Sequence, residues 1–114
     1  MWEPVSTFKQ DDVLIIAMAG KWMSTDETGK LHELVQGELM NGGKAIVLDL
    51  EFVQWMNSTG IGALAGVMTS TRSAETKLAL ANVSKDVQEL LDVSQLAPLF
   101  TICKTRAEAV KAVS

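Results

Sequence analysis

The sequence has little of what catalytic and metal sites are built from. Of its 114 residues, one is cysteine and one is histidine. A lone thiol, Cys103, cannot close an internal disulfide, which fits a reducing cytoplasm. Set in the run Phe-Thr-Ile-Cys, it reads as a small buried apolar residue. His32 has no second His or Cys with which to share a metal, so it reads as an ordinary surface or boundary residue and no metal site is expected. The phosphate-cradling loops are missing as well: there is no G-x-G-x-x-G after a first strand and no Gly-Lys-Ser/Thr. Nor is there a Gly-x-Ser-x-Gly elbow, and His32 is the only candidate base for a Ser/His/Asp triad. The chain therefore reads as a non-enzyme with no catalytic residues and no cofactor of its own.

Basic clusters and long apolar runs are also lacking. Lys and Arg number 10 against 14 Asp and Glu, for a net charge of −4. Residues 1–57 hold nine acids and four bases, residues 58–114 five and six. No segment has the Lys/Arg density that binding a phosphate backbone demands, which argues against nucleic acid as a partner. The acidic surplus reads as a solvated face. Residues 52–71 carry no charge, yet Gln54, Asn57, Ser58 and Thr59 interrupt them short of the ~20 apolar residues of a membrane span. Direct membrane insertion is not expected. The start, Met-Trp-Glu-Pro, has neither the basic residues nor the apolar run of a signal peptide.

What is present is enough hydrophobic residue, 47%, to fill one core, and residues 1–114 read as one domain. Residues 5–9 and the apolar run Val13–Ala19, joined by the turn cluster Gln10-Asp11-Asp12, predict an antiparallel hairpin. Gly20 is expected to end the second strand, leaving Lys21-Trp22-Met23 as a loop. Ser24-Thr-Asp-Glu27 has the spacing of a capping box. The apolar positions Leu31, Leu34, Val35 and Leu39 continue that helix to Asn41-Gly42-Gly43. Residues 45–50 read as a strand buried on both faces. From Ile61 the period becomes helical through Leu64, Ala65 and Met68. Lys77–Ala81 is a further strand. Ser84 caps a helix with Val87, Leu90 and Leu91 inside, and Leu99–Cys103 reads as a last strand after Pro98. Thr105-Arg-Ala-Glu108 is a second capping box, opening a helix whose Ala109, Val110 and Val113 face inward. The order β-β-α-β-α-β-α-β-α predicts an α/β fold, a mixed sheet of about five strands with an N-terminal hairpin and four helices.

Function should sit where the uncharged strand end hands over to the helix start, Asn57-Ser58-Thr59-Gly60. Ser58 is placed to be the helix N-cap, a role that stabilises by about 1 kcal/mol. Gly60 and Gly62 would let the helix lie close to the sheet. Asp49, one residue before a strand end, has no visible partner and reads as mostly structural. Trp22, Met23, Trp55 and Met56 sit in the predicted loops at one end of the sheet, and two readings compete for them. They cap the core, or they anchor a partner; the second predicts Trp22 or Trp55 on the surface beside Ser58.

The string Ile-Val-Leu-Asp-Leu-Glu-Phe-Val-Gln-Trp-Met-Asn-Ser-Thr-Gly-Ile-Gly-Ala-Leu resembles the signature of the STAS domain, as in bacterial anti-sigma factor antagonists. That family's pattern is an apolar strand ending in Asp-Leu, a turn with a large apolar residue, then Asp-Ser-Ser/Thr-Gly-Leu/Ile-Gly. The likeness extends over the whole chain in length and element order. It implies that Ser58 is a regulatory phosphorylation site; the choice between Ser58 and Thr59 as acceptor is not fixed by the sequence. It further implies that the unphosphorylated form binds an anti-sigma factor serine kinase and that a PP2C-type phosphatase restores that form; ATP and Mg²⁺ would belong to the partner. Together with the anchors read from residue type, the partner surface expected is Trp22, Met23, Trp55, Met56, Asn57, Ser58, Thr59, Gly60 and Ile61. Asn57 departs from the pattern: it keeps the size of the usual Asp but has no charge and cannot act as a base. An alternative implied by the same resemblance is a scaffold or accessory subunit of a transporter or sensory complex, with Ser58 only a helix cap.

Overall fold

The computed structural model describes residues 5–23 and 25–114. Five strands form one sheet in the order β1-β2-β3-β4-β5: β1 (Val5–Gln10), β2 (Val13–Trp22), β3 (Ala45–Met56), β4 (Lys77–Ala81) and β5 (Thr101–Cys103). β1 runs antiparallel to β2, and every other pair is parallel. The hairpin turns at Asp11 and Asp12, both with positive φ (52° and 67°), the geometry that matches the twist of the flanking strands. Four helices complete the fold: α1 (Thr25–Met40), α2 (Ser58–Ser73), α3 (Lys85–Val93) and α4 (Arg106–Val113).

The inner part of the sheet, β2 with the first half of β3 and the end of β4, is buried on both faces, and alternation along these strands divides the core in two. Leu14, Ile16, Met18, Ile46, Leu48, Leu50 and Leu80 point to one face and pack with residues of α1, α2 and α3. Val13, Ile15, Val47, Ala79 and Ala81 point to the other, where α4 lays Ala109, Val110 and Val113 against them. The small residues of β4 allow that helix to come close. Within α2 the buried stripe is Ile61, Leu64, Val67 and Thr71, so Met68 lies at its margin.

Three boundaries differ from the sequence reading. β2 does not end at Gly20: with φ at +85° this glycine takes a conformation other residues rarely adopt and forms a pairing irregularity, after which Lys21 and Trp22 rejoin the ladder. β3 likewise continues from Leu50 to Met56, paired to β2 as far as Trp22↔Met56. Trp22, Trp55 and Met56 are thus strand residues, and only Met23 lies in a loop. The expected last strand is shorter, because Pro98 sits in a 3₁₀ turn, Ala97–Leu99. Ser24, the first residue of the expected capping box, lies outside the described residues.

Candidate functional site

The long β2 and β3 carry the strand–helix corner to one end of the molecule. α2 begins there, and its cap is Asn57 rather than Ser58. The Asn57 Oδ1 accepts from the N–H groups of Thr59 (2.9 Å) and Gly60 (3.3 Å), and its backbone carbonyl accepts from Ile61 N–H. Its Nδ2 donates to the Met23 carbonyl at 3.4 Å, tying the loop after β2 to the corner. An Asp at this place would keep the cap but could not make that donation. The departure from the family pattern therefore has a structural use.

With Asn57 as cap, Ser58 is the first helical residue. It is exposed, as is Thr59. Among the described residues, the hydrogen bonds of the corner do not use the Ser58 hydroxyl. The expectation that Ser58 caps the helix is corrected, and with it the picture of Ser58 as a cap and nothing more. The first turn of α2 contains no acidic side chain, so the positive end of its dipole has no counter-charge from within the helix.

Gly60 has a steric role. A Cβ there would come within 2.6 Å of the Trp22 carbonyl oxygen and collide with the Met56 side chain. Helix and strands meet backbone to backbone at this point. Gly62, exposed with open space around it, has no such role, which corrects the shared reading of the two glycines.

The predicted partner residues divide. Trp22, Met56 and Ile61 are core, at 0%, 2% and 6% exposure, and Gly60 is buried among them. The Trp22 indole N–H donates to the Ala19 carbonyl at 3.0 Å, satisfying its one polar atom inside. These four are corrected from surface to support. Met23 and Trp55 are exposed, at 45% and 51%, and stand with Ser58 and Thr59 on the surface. The corner also walls a groove of about 550 Å³, whose opposite side is α3 with Asp86, Glu89, Leu90 and Val93. The sequence reading missed this wall. The available signal was two apolar residues, Leu90 and Val93, in a helix already anchored by Val87 and Leu91.

Asp49 proves to have partners. Its Oδ2 accepts from Arg106 Nε at 2.7 Å, and its Oδ1 from Asn82 Nδ2 (2.9 Å) and Glu51 N–H (3.0 Å). Arg106 also stacks on Phe8, 4.6 Å from the ring centroid. This network pins α4 to the middle of the sheet and is structural. Cys103 packs at the edge of the same core, and burial, then the Glu108 carboxylate, push its thiol up from the ordinary range. Among the described residues no cluster of His, Cys, Asp and Glu could hold a metal, and no helix is long and apolar enough to cross a membrane.

The comparisons with known proteins agree with this architecture. The STAS domain profile matches residues 5–109. An anti-sigma-B factor antagonist of Staphylococcus aureus is 24% identical over 98 residues, covering 86% of this chain and 90% of its own length. A candidate anti-sigma factor antagonist of Thermotoga maritima superimposes with a TM-score of 0.86 at 24% identity, over 96% of this chain and 93% of its own. The phosphorylated form of the Bacillus cell fate determinant SpoIIAA does so with a TM-score of 0.76 at 19% identity, over 96% and 99%. With a profile match running from the first strand into the last helix, on a fold shared with anti-sigma factor antagonists, this chain belongs to the STAS domain family.

Proposed function

We propose that this protein is a non-enzymatic, cytoplasmic anti-sigma factor antagonist. It binds an anti-sigma factor serine kinase through the surface formed by Met23, Trp55, Ser58 and Thr59, and phosphorylation of Ser58 ends that binding. A PP2C-type phosphatase returns it to the binding form. The observation that carries this reading is the Ser58 hydroxyl: it is exposed at a helix start, is not engaged in capping, and lies beside two exposed apolar anchors.

The physics of such a switch needs no rearrangement of the fold. A phosphate adds about −1.5 to −2 charges and three strongly hydrated oxygens. At the positive end of α2 that charge is favoured by roughly 0.3–1 kcal/mol, so the domain tolerates it. At a contact surface the same group blocks fit and would have to be desolvated, which costs several kcal/mol. The similarity to SpoIIAA, a protein with a phosphorylated form, supports the assignment. Buried Trp22, Met56, Gly60 and Ile61 hold the surface rigid, so little ordering is needed on binding.

The test is intact mass of the protein from its own cytoplasm, with and without PP2C-type phosphatase, followed by site mapping. The expected result is a phosphatase-sensitive phosphate on Ser58. A phosphate on Thr59 alone, or none under any growth condition, contradicts the switch. Asn57→Asp should leave the phosphorylation rate within a few-fold, because the cap it would preserve is already made.

A further inference from the structure

β3 outlasts its neighbour. Its final pair with β4 is Asp49↔Ala81, whereas pairing with β2 continues to Met56. Residues 50–56 therefore have a strand on one side only, among the described residues. Apart from the Glu51 N–H, which donates to Asp49 Oδ1, their N–H and C=O groups on the other side lack ladder partners, the condition under which a sheet edge accepts an added strand. Asn82, with φ at +55°, turns the chain away where β4 would have continued.

The groove of about 550 Å³ borders this overhang. Gln54 to Ser58 line one side, and Asp86, Glu89, Leu90 and Val93 the other. The spacing of these last four, i, i+3, i+4 and i+7, places them on one face of α3, while Val87 and Leu91 are buried. Val93 is 82% exposed and Trp55 51%. Among the described residues lining the groove there are two acids and no base.

We propose that the groove takes an extended segment of the partner, which adds as a strand along the free edge of β3. Its side chains toward α3 are apolar against Trp55, Leu90 and Val93, with Lys or Arg opposite Asp86 and Glu89. The unpaired edge selects an extended backbone over a helix, and the acids select a basic segment over an acidic one. This rests on the reading of the corner as the partner-binding site, and it names the chemistry of what binds there.

The probe is a capped peptide, Lys-Thr-Val-Thr-Val-Thr-Lys, whose Lys and Val side chains share one face of a strand, titrated into the unphosphorylated full chain and followed by backbone amide NMR. Two companions are N-methylated on the two Val or on the three Thr, and a third replaces both Lys by Glu. Saturable shifts are expected at residues 51–56 and on the outer face of α3. One N-methyl set should abolish them and the other be tolerated, because alternate residues of a strand face opposite edges. The Glu peptide should bind at least tenfold more weakly, and D86N/E89Q together should reduce affinity for the Lys peptide about tenfold. Equal tolerance of both N-methyl sets, equal binding of the Glu peptide, or no saturable shift at these residues overturns the proposal. No kinase or phosphate enters the titration, so the Ser58 mapping stands or falls separately.

Discussion

The starts of α2, α3 and α4 each carry a hydroxyl residue at or beside the cap, and they use it differently. In α3 the Ser84 hydroxyl accepts from Val87 N–H at 3.2 Å, and in α4 the Thr105 hydroxyl accepts from Glu108 N–H at 3.1 Å. Each of these helices also supplies an acid in its first turn, Asp86 or Glu108. In α2 the capping is done by Asn57, the first turn has no acid, and the Ser58 hydroxyl stays outside the cap. All three helix starts are capped by their own residues, but only α2 keeps a hydroxyl outside the cap and has no acid in its first turn. A hydroxyl used by its own cap is a structural element; one left outside it suits chemistry from a partner.

The comparison can be broken most forcefully at Gly60. Gly60→Val places atoms against the Trp22 carbonyl and Met56, and overpacking of this kind costs about 1–3 kcal/mol. Urea denaturation should show that loss, whereas Gly62→Val, with open space around it, should lose nothing and gain roughly a few tenths of a kcal/mol, because valine is a better helix former than glycine. Trp55→Ala should weaken anti-sigma partner binding by roughly 30-fold, about 2 kcal/mol, with little change in stability, as calorimetry can measure. Replacing the caps sharpens the contrast directly. Asn57→Ala, Ser84→Ala and Thr105→Ala should each cost about 1 kcal/mol of stability, and Ser58→Ala less than about 0.5 kcal/mol. An equal loss for Ser58→Ala would mean that its hydroxyl supports the helix after all.

The smallest effect concerns reactivity. Burial and Glu108 raise the Cys103 thiol, so its thiolate is scarcer at neutral pH than that of a free cysteine. Alkylation of the folded protein should therefore be slow near pH 7 and accelerate as pH rises into the alkaline range. Glu108→Gln should accelerate it modestly.

Local pattern made most of the fold legible, and the failures are tertiary. The capping residues Ser84 and Thr105 and the inward face of α4 follow from spacing alone, since each signal lies within one or two turns; in α3 spacing found Val87 and Leu91 but also placed Leu90 inside, whereas it lines the groove. The extra length of β2 and β3 does not. Glu51 to Met56 has no clean alternation, and it is a strand because Ala19 to Trp22 pairs with it through two irregularities. That extension turned Trp22 and Met56 from predicted loop residues into core. The partners of Asp49 were equally hidden, because Arg106 lies 57 residues further along the chain. At the corner the motif located the strand-to-helix junction but gave the wrong cap. Asn and Ser are equally good caps by propensity, and Asn57 has the extra contact to Met23, a residue 34 positions away.

The most direct measurement is the affinity of the anti-sigma factor partner for the protein before and after stoichiometric phosphorylation of Ser58, with the fold of both forms followed by circular dichroism. The account predicts a loss of at least 100-fold, about 2.7 kcal/mol, between two forms of unchanged secondary structure. Equal affinity, or a loss accompanied by unfolding of α2, would contradict it.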